Sequence, residues 1–317
     1  MTLDIFYIVL GLAGLFAGGE WLVRGAVSIA DRLGIPPLIV GLTVVGFGTS
    51  APELATSLQA ALSGSPAIAV GNVVGSNMAN LLLILGLSAL LAPIDVHAKA
   101  FRRDGSVLII ATCLSVWVLL SGSVDRSAGM VAVMALLIYL ISTILMERRA
   151  HESAAGAMYQ GEADLMRPAS TSLARSVLTL VVGLILVLVG ARLLVSGAVD
   201  IAQLLGVSEA VIGLTVVAVG TSLPELATSL MAVRKGEGDI AFGNIIGSNL
   251  FNLLGIMGIT ALVHPLTVPE QIMRLDAWLM LLATFVVVLM AMTGKRVGRL
   301  EGGILFTAYL AYCILML

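Results

Sequence analysis

The stretch GLTVVGFGTSAPELATSL at residues 41–58 recurs as GLTVVAVGTSLPELATSL at residues 213–230, with fifteen of the eighteen positions identical. A second pair, AVGNVVGSNMAN at 69–80 and AFGNIIGSNLFN at 241–252, keeps the same offset of 172 residues. Single matches such as Pro93 with Pro265 and Asp104 with Asp276 fall in that register too. The chain therefore contains two copies of one unit, which predicts a fold built from two related halves.

The composition indicates that both copies lie in a membrane. Of the 317 residues, 59% are hydrophobic and only 11% are charged, whereas soluble domains carry about 25% charged residues. The net charge of -2 provides no basic excess for nucleic acid. Cys113 and Cys313 lie inside apolar runs, which predicts neither a disulfide framework nor a zinc cluster.

The apolar runs predict the number of membrane spans. A helix needs about 20 largely apolar residues to cross a bilayer, and ten runs qualify. They lie at approximately 5–30, 38–62, 67–90, 105–121, 128–146, 176–199, 210–232, 239–262, 275–293 and 301–317. The predicted fold class is an all-α polytopic membrane protein with ten transmembrane helices. Its domains are a first five-helix repeat (1–146), a polar linker (147–175) and a second five-helix repeat (176–317).

The basic residues predict the orientation of the chain. Thirteen of the 17 Lys and Arg residues follow odd-numbered spans, and only Arg126 and Arg274 lie in loops on the other side. The positive-inside rule therefore places the linker in the cytoplasm and both termini outside. Each copy has five spans, so the second enters the membrane from the opposite side. Inverted repeats of this kind are typical of secondary transporters, whose substrate binds near the midplane between the halves.

The N-terminal segment has no basic residues before its apolar run and no clear cleavage site, so we expect a retained first helix. The absence of a targeting peptide favours a prokaryotic cell membrane.

Each copy of the repeated stretch places hydroxyls and a carboxylate beside a proline. Thr49, Ser50 and Glu53 fall near one face of a helix, while Pro52 removes a backbone donor and breaks the helix where it lines a cavity. The second copy repeats the arrangement with Thr221, Ser222, Pro224 and Glu225. Acidic residues inside a membrane are functional by default. No basic residue lies within a helical turn of either Glu, so we expect a cation as their partner.

The third and eighth spans add polar side chains at a spacing of four. They are Asn72, Ser76 and Asn80, mirrored by Asn244, Ser248 and Asn252. Gly71 and Gly75, like Gly243 and Gly247, predict close helix packing, and Asn77 and Asn249 are expected to bind backbone freed by the neighbouring break. A site with only oxygen donors suits hard cations, and flexible backbone with two carboxylates favours Ca²⁺ over Mg²⁺.

Two motifs, G-x-G-T-S-x-P-E-L and G-N-x-x-G-S-N-x-x-N, resemble the two α-repeats of the sodium/calcium exchanger family. This family belongs to the calcium/cation antiporter superfamily, and the chain most resembles its compact prokaryotic members. The resemblance covers nearly all of the chain outside the linker. It implies that the cation ligands are the carbonyls of Gly46 and Ala218 and the side chains of Thr49, Ser50, Glu53, Ser76, Asn80, Thr221, Ser222, Glu225, Ser248 and Asn252. Members often carry Asp at the position of Asn252. The T-S-x-P-E motif is similar to the one found in the sodium-coupled branch of the superfamily.

The expected function is secondary active exchange of Na⁺ for Ca²⁺ by alternating access, not an enzymatic reaction. Ca²⁺ and Na⁺ bind as substrates, and we expect no cofactor, no nucleic-acid partner and no obligatory protein partner apart from the lipid bilayer. A Ca²⁺/H⁺ antiporter, or an antiporter of another divalent cation, stays open as an alternative, because both glutamates can carry protons. A channel fits inverted repeats less well than alternating access does. An intramembrane hydrolase using Ser50 or Ser222 would need a positioned base, and His is missing from every candidate site helix.

The predicted topology can be tested with two cysteines in a background without Cys113 and Cys313. A cysteine at Ser65 should react with an impermeant thiol reagent added outside. A cysteine at the repeat counterpart Glu237 should react only from the cytoplasm. Labelling of both positions from the same side would contradict five spans per repeat.

Overall fold

A computed structural model describes residues 2–33, 35, 37–96, 98–158, 172–205, 218–294 and 296–316. These residues are predominantly helical, as predicted. The α-helices are α1 Thr2–Leu33, α2 Pro37–Val40, α3 Gly46–Thr49, α4 Ala51–Leu62, α5 Pro66–Met78, α6 Leu85–Leu91, α7 Ala98–Leu119, α8 Arg126–Met158, α9 Leu173–Leu204, α10 Ala218–Thr221, α11 Leu223–Arg234, α12 Gly238–Leu250, α13 Met257–Val263, α14 Ala277–Gly294 and α15 Arg299–Met316. Four π-helical segments continue some of them: π1 Gly41–Val45, π2 Ala79–Ile84, π3 Phe251–Ile256 and π4 Ile272–Asp276.

The helices confirm an integral multi-pass membrane protein. Within the described residues, six helical stretches are long and apolar enough to cross a membrane, and the bent pair Leu38–Thr49 with Ala51–Leu62 makes a seventh. The six are Leu3–Leu33, Pro66–Leu91, Arg126–Met146, Leu173–Ile201, Gly238–Val263 and Ile272–Thr293.

Three of the ten predicted spans are not among these stretches. They are 105–121 in α7, 301–317 in α15, and 210–232, of which residues 210–217 lie outside the described ranges. Helix α7 carries Arg102, Arg103 and Asp104 as its fifth to seventh residues, and α15 is only 18 residues long. Ten spans therefore stay a prediction.

The contacts between the two halves come in equivalent pairs, in which corresponding residues of the two halves change places. Helices α1 and α9 pack along most of their length, and glycines line their contact. Gly25 lies against the backbone of Leu180, and Gly197 lies against Ile8. Adding 172 to the numbers of Gly25 and Ile8 gives Gly197 and Leu180, so the two contacts are equivalent. Glycine permits this approach because it has no Cβ.

Two short antiparallel strand pairs also join the halves. Strand β1 (Ile94–Asp95) pairs with β4 (Arg296–Val297), and β2 (Ser123–Val124) pairs with β3 (Leu266–Thr267). In each pair, one strand comes from the first half and the other from the second. Strand β1 precedes α7 and β2 follows it, so the two pairs lie at opposite ends of this helix.

A tyrosine–aspartate hydrogen bond ties the last two long helices of each half together. The Tyr139 hydroxyl donates to Asp104 Oδ1 at 3.0 Å, and the Tyr312 hydroxyl donates to Asp276 Oδ1 at 3.2 Å. The aspartates differ by 172 positions and the tyrosines by 173. One residue has therefore been gained or lost between them, which hid this match from an alignment at constant offset.

Two adjacent glycines in α15 offer a matched test of helix packing. A Cβ on Gly302 would lie 2.7 Å from the Gly86 carbonyl oxygen, whereas a Cβ on Gly303 would lie 3.7 Å from the end of the Leu90 side chain. We expect Gly302→Ala to lower the free energy of unfolding by about 1–3 kcal/mol. Gly303→Ala should leave it unchanged or raise it by up to about 1 kcal/mol. Thermal unfolding in detergent measures both, and equal melting temperatures would contradict this packing.

Candidate cation site

The two repeated stretches form broken helices. The chain bends by 42° between Leu38–Thr49 and Ala51–Leu62. Ser50 lies at the bend with φ -82° and ψ 8°, and Ser222 has nearly the same conformation with φ -91° and ψ 5°. Pro52 and Pro224 occupy the first turns of α4 and α11, where a missing N–H costs little. The predicted break is confirmed, with the serine at its centre.

The breaks bring the two glutamates to the serines of the opposite half. Glu53 and Glu225 are 2% and 1% exposed. The Ser50 hydroxyl donates to Glu225 Oε1 at 2.7 Å, and the Ser222 hydroxyl donates to Glu53 Oε1 at 3.5 Å. Each half therefore supplies a donor to the other half's carboxylate.

Among the residues that the structure describes, four buried oxygen atoms on the segments around this crossing accept no hydrogen bond. They are Glu53 Oε2, Glu225 Oε2, Asn80 Oδ1 and Asn252 Oδ1. Segment π2, which contains Asn80, packs against α11, and π3, which contains Asn252, packs against α4. Each amide therefore lies on a segment that contacts the glutamate-bearing helix of the other half. A buried polar atom without a partner costs about 1–3 kcal/mol, so this group of oxygens is suited to a cation.

The π-helical turns coincide with the two asparagines. Segments π2 and π3 begin at Ala79 and Phe251, which correspond at an offset of 172, and each begins one residue before its asparagine. π-helical turns are rare in proteins as a whole, but those that occur are frequently found at functional sites. Periodicity did not predict them, because an α-helix and a π-helix share the same apolar pattern over one turn.

A second set of polar contacts joins the first broken helix to α12. The Ser248 hydroxyl donates to the Gly46 carbonyl at 3.1 Å. The Thr49 hydroxyl lies 3.0 Å from the Val45 carbonyl and 3.2 Å from Asn244 Oδ1. The three candidate ligands among these residues, Gly46, Thr49 and Ser248, are all buried. The structure thus brings Gly46, Thr49 and Ser248 to one place.

The remaining candidate ligands are located less fully. Ser76 is 5% exposed in α5, and Thr221 ends α10 next to Ser222. Ala218 begins α10, and residues 206–217 before it lie outside the described ranges.

Asn72 and Asn244 tie the broken helices to their neighbours. Asn72 Nδ2 donates to the Glu53 carbonyl at 3.1 Å and to Ser57 Oγ at 2.9 Å. Asn244 Nδ2 does the same with the Glu225 carbonyl at 3.3 Å and Ser229 Oγ at 3.0 Å. Both amides hold the backbone of a site glutamate, and neither serine was identified from the sequence. A hydroxyl four residues after each glutamate was the available signal.

The prediction for Asn77 and Asn249 was wrong. Asn77 Nδ2 donates to the Val73 carbonyl at 2.8 Å, and Asn249 Nδ2 donates to the Ile245 carbonyl at 2.7 Å. Each bond stays within one helix, because a short polar side chain reaches the carbonyl four residues earlier more readily than a neighbouring helix.

The prediction for the glycines is confirmed at Gly243 and Gly247, which pack against the backbone of Leu38 and Leu42. The corresponding segment for Gly71 and Gly75, residues 210–214, lies outside the described ranges.

The site contains two acidic residues and no counter-ion from the described chain. None of the ion pairs seen among the described residues involves Glu53 or Glu225. Within the same ranges, no three His, Cys, Asp or Glu side chains group together as a metal cluster would require. Another acidic residue, Glu20, pairs with Arg24 at 2.9 Å and with Lys235 at 3.2 Å.

Buried carboxylate and amide oxygens between membrane-spanning helices define a cation transporter. Comparison with known families makes the class narrower: residues 3–146 and 175–317 match the family described as sodium/calcium exchanger protein. The chain belongs to this family, as its repeats indicated, and it is a cation antiporter.

Curated relatives match over the full length. The putative antiporter CaxA of Alkalimonas amylolytica is 39% identical over 320 residues, covering 100% of this chain and 99% of that protein. The sodium/calcium exchanger MaX1 of Methanosarcina acetivorans is 32% identical over 346 residues, with 100% and 99% covered. A solved structure of the sodium-calcium exchanger NCX_Mj, soaked with Na⁺ and Sr²⁺, superposes with a TM-score of 0.84 at 33% identity, covering 100% of this chain and 99% of that one.

Removal of Asn244 should destabilise the protein more than removal of Asn249 in the same helix. Asn244→Ala leaves the buried Ser229 hydroxyl and Thr49 hydroxyl with fewer partners, so we expect a loss of about 1–3 kcal/mol in the free energy of unfolding. Asn249→Ala removes one bond within the helix and also a buried carbonyl oxygen that has no partner. Its effect should therefore be smaller. Thermal unfolding without added cations compares the two variants. A larger loss of stability in Asn249→Ala than in Asn244→Ala would contradict the role assigned to the hydrogen bonds of Asn244.

Proposed function

We propose that this protein exchanges Na⁺ for Ca²⁺ across the membrane by alternating access, with the ions bound between Glu53 and Glu225. The observation that carries the proposal is the crossing of each buried glutamate to the serine of the other half. This crossing supports a single buried site that contains two carboxylates and lies between related halves. Secondary transporters bind their substrates at such an interface.

The charge of the site suits one Ca²⁺ ion. With both glutamates ionised the site carries two negative charges, because Asn80 and Asn252 contribute only dipoles. Each serine holds one carboxylate oxygen, which leaves the second oxygen of each glutamate for the ion. Ca²⁺ accepts six to eight oxygen ligands in flexible geometry. Na⁺ is also a hard cation and uses the same type of donor.

The proposed ligand set is the one that the family resemblance implies. Four members carry the oxygens that have no partner among the described residues, and Ser50 and Ser222 donate hydrogen bonds to two of these members, Glu225 and Glu53. Gly46, Thr49 and Ser248 form the neighbouring set of contacts between the first broken helix and α12. Ser76, Thr221 and the carbonyl of Ala218 complete the set by position in the repeat.

We also propose ten spans in two inverted repeats of five, with residues 147–175 as a cytoplasmic linker and both termini outside a prokaryotic inner membrane. The exchanged contacts of α1 with α9 and of the four strands support a two-fold relation between the halves. The distribution of Lys and Arg supports the orientation. Alternating access then follows, because two inverted halves can open the same site to either side.

The names of the relatives support cation exchange without deciding the counter-ion. MaX1 is named a sodium/calcium exchanger, whereas CaxA is named only a putative antiporter. A Ca²⁺/H⁺ antiporter is the second candidate, since the site acids are two glutamates and a carboxylate can carry a proton as well as bind a metal.

Flux measurements separate the two candidates. Purified protein is reconstituted into proteoliposomes whose interior contains Na⁺. Uptake of ⁴⁵Ca²⁺ is then followed with and without an imposed pH gradient. Na⁺/Ca²⁺ exchange predicts uptake that requires the Na⁺ gradient and continues when the pH gradient is collapsed. Uptake driven by the pH gradient alone would contradict Na⁺ coupling and favour H⁺.

Substitution of either glutamate should abolish transport. Glu53→Gln or Glu225→Gln removes one of the two charges of the site with little change in shape, so we expect loss of Na⁺-driven ⁴⁵Ca²⁺ uptake in a protein that still purifies as a folded species. Glu270→Gln is the matched control, because Glu270 is exposed and pairs with Arg274. Normal exchange by either site variant would refute the assignment of the site.

A further inference from the structure

A groove of about 610 Å³ opens on the side of the molecule between the end of α7, the beginning of α8, and the segment formed by π3 and α13. Its walls are mainly apolar and include Leu114, Trp117, Val131, Ala132 and Met257. A space of this size is within the range of small-molecule and cofactor sites, which is about 300–1,000 Å³. It is separate from the candidate ligands, none of which lines it.

Small residues on α8 create the groove. Ala128, Ala132 and Ala135 are spaced as one face of this helix, and all three line the groove. At the offset of 173 that relates Tyr139 to Tyr312, Ala128 and Ala132 correspond to Glu301 and Leu305. Leu305 is 1% exposed, so a buried leucine occupies the position in the second half that an alanine leaves open in the first.

The groove faces the lipid bilayer. Trp117 and Val131 at its edge are 74% and 67% exposed, although both are apolar. Val131 belongs to the stretch Arg126–Met146, which is apolar enough to cross a membrane. In a bilayer such side chains contact lipid tails, and an apolar groove beside them is filled by hydrocarbon more favourably than by water.

The mouth of the groove is polar and carries one acidic residue, Asp125. The Ser127 hydroxyl and the Ala128 N–H both donate to Asp125 Oδ1 at 2.7 Å. These two hydrogen bonds lower the pKa of the Asp125 carboxyl below its usual value, so the group is ionised at neutral pH. Arg126 follows Asp125 in sequence without lining the groove itself, and both residues are exposed. Ser121 and Ser123 lie on the same rim.

We propose that this groove binds one acyl chain of a zwitterionic phospholipid whose head group carries a primary ammonium. Asp125 accepts hydrogen bonds from the ammonium, and the guanidinium of Arg126 binds the phosphate, which its planar donors match in geometry. A trimethylammonium head lacks N–H donors and satisfies only the phosphate contact. A purely anionic head leaves Asp125 facing negative charge. Trp117 lies near the end of α7, where the interfacial preference of tryptophan suits the boundary between tail and head.

Native mass spectrometry of the purified full-length protein tests this proposal. Delipidated protein is titrated with phosphatidylethanolamine, phosphatidylcholine or phosphatidylglycerol of identical chains. Wild-type protein should retain one phosphatidylethanolamine molecule more tightly than either other lipid. Ala132→Leu, which introduces the residue of the second half, should weaken this binding by about tenfold through loss of the space. Ile141→Phe adds volume at an exposed position of α8 outside the groove and should change nothing.

A head-group variant gives an independent measurement. Asp125→Asn should reduce the preference for phosphatidylethanolamine over phosphatidylcholine while one lipid is still retained. Equal retention in wild type and Ala132→Leu would overturn the assignment of the groove. Preference for phosphatidylglycerol, or no preference among the three lipids, would overturn the assignment of the head group. Asp125→Asn leaves the helix cap in place, since asparagine caps helices as well as aspartate, and therefore remains informative if Ala132→Leu fails to fold.

Discussion

The fold is organised around two carboxyl groups that are buried between its two halves. Glu53 and Glu225 are both almost fully buried, and each depends on the opposite half for its serine donor. An isolated charge in such a place is strongly unfavourable, and under the proposed function the surrounding helices supply dipoles and leave room for a cation. The broken helices, the amide ties and the wide turns at the asparagines all satisfy this one electrostatic requirement.

Symmetry is the means by which one short motif supplies a complete site. Each copy offers one carboxylate, one hydroxyl donor and one amide oxygen without a partner, and two copies facing each other double these groups around a shared centre. The halves are nevertheless unequal in detail. The Ser50 bond to Glu225 is 2.7 Å and the Ser222 bond to Glu53 is 3.5 Å, while Ala132 and Leu305 differ in volume at equivalent positions.

Much of this arrangement could be predicted from the sequence, because the repeat identifies equivalent residues and proline marks the break. The pairing of Ser50 with Glu225 could not, since spacing along one helix says nothing about which residue faces it from another. The roles of Asn77 and Asn249 were misjudged for a related reason: a helical wheel gives direction but not reach. The tyrosine–aspartate bonds were missed because their register changes by one residue between Asp104 and Tyr139. The number of spans was predicted from apolar length alone, and α7 shows how a cluster of charged residues near the start of a helix weakens that criterion.

The two strand pairs have a mechanical consequence. They fasten the first half to the second at both ends of α7, a helix of 22 residues that is about 33 Å long. The two strand pairs are attachments that lie on one line along α7. They permit rotation of the two halves about this line and resist separation of the halves. The halves are therefore held together at both ends of α7, and elements remote from these two attachments are less constrained.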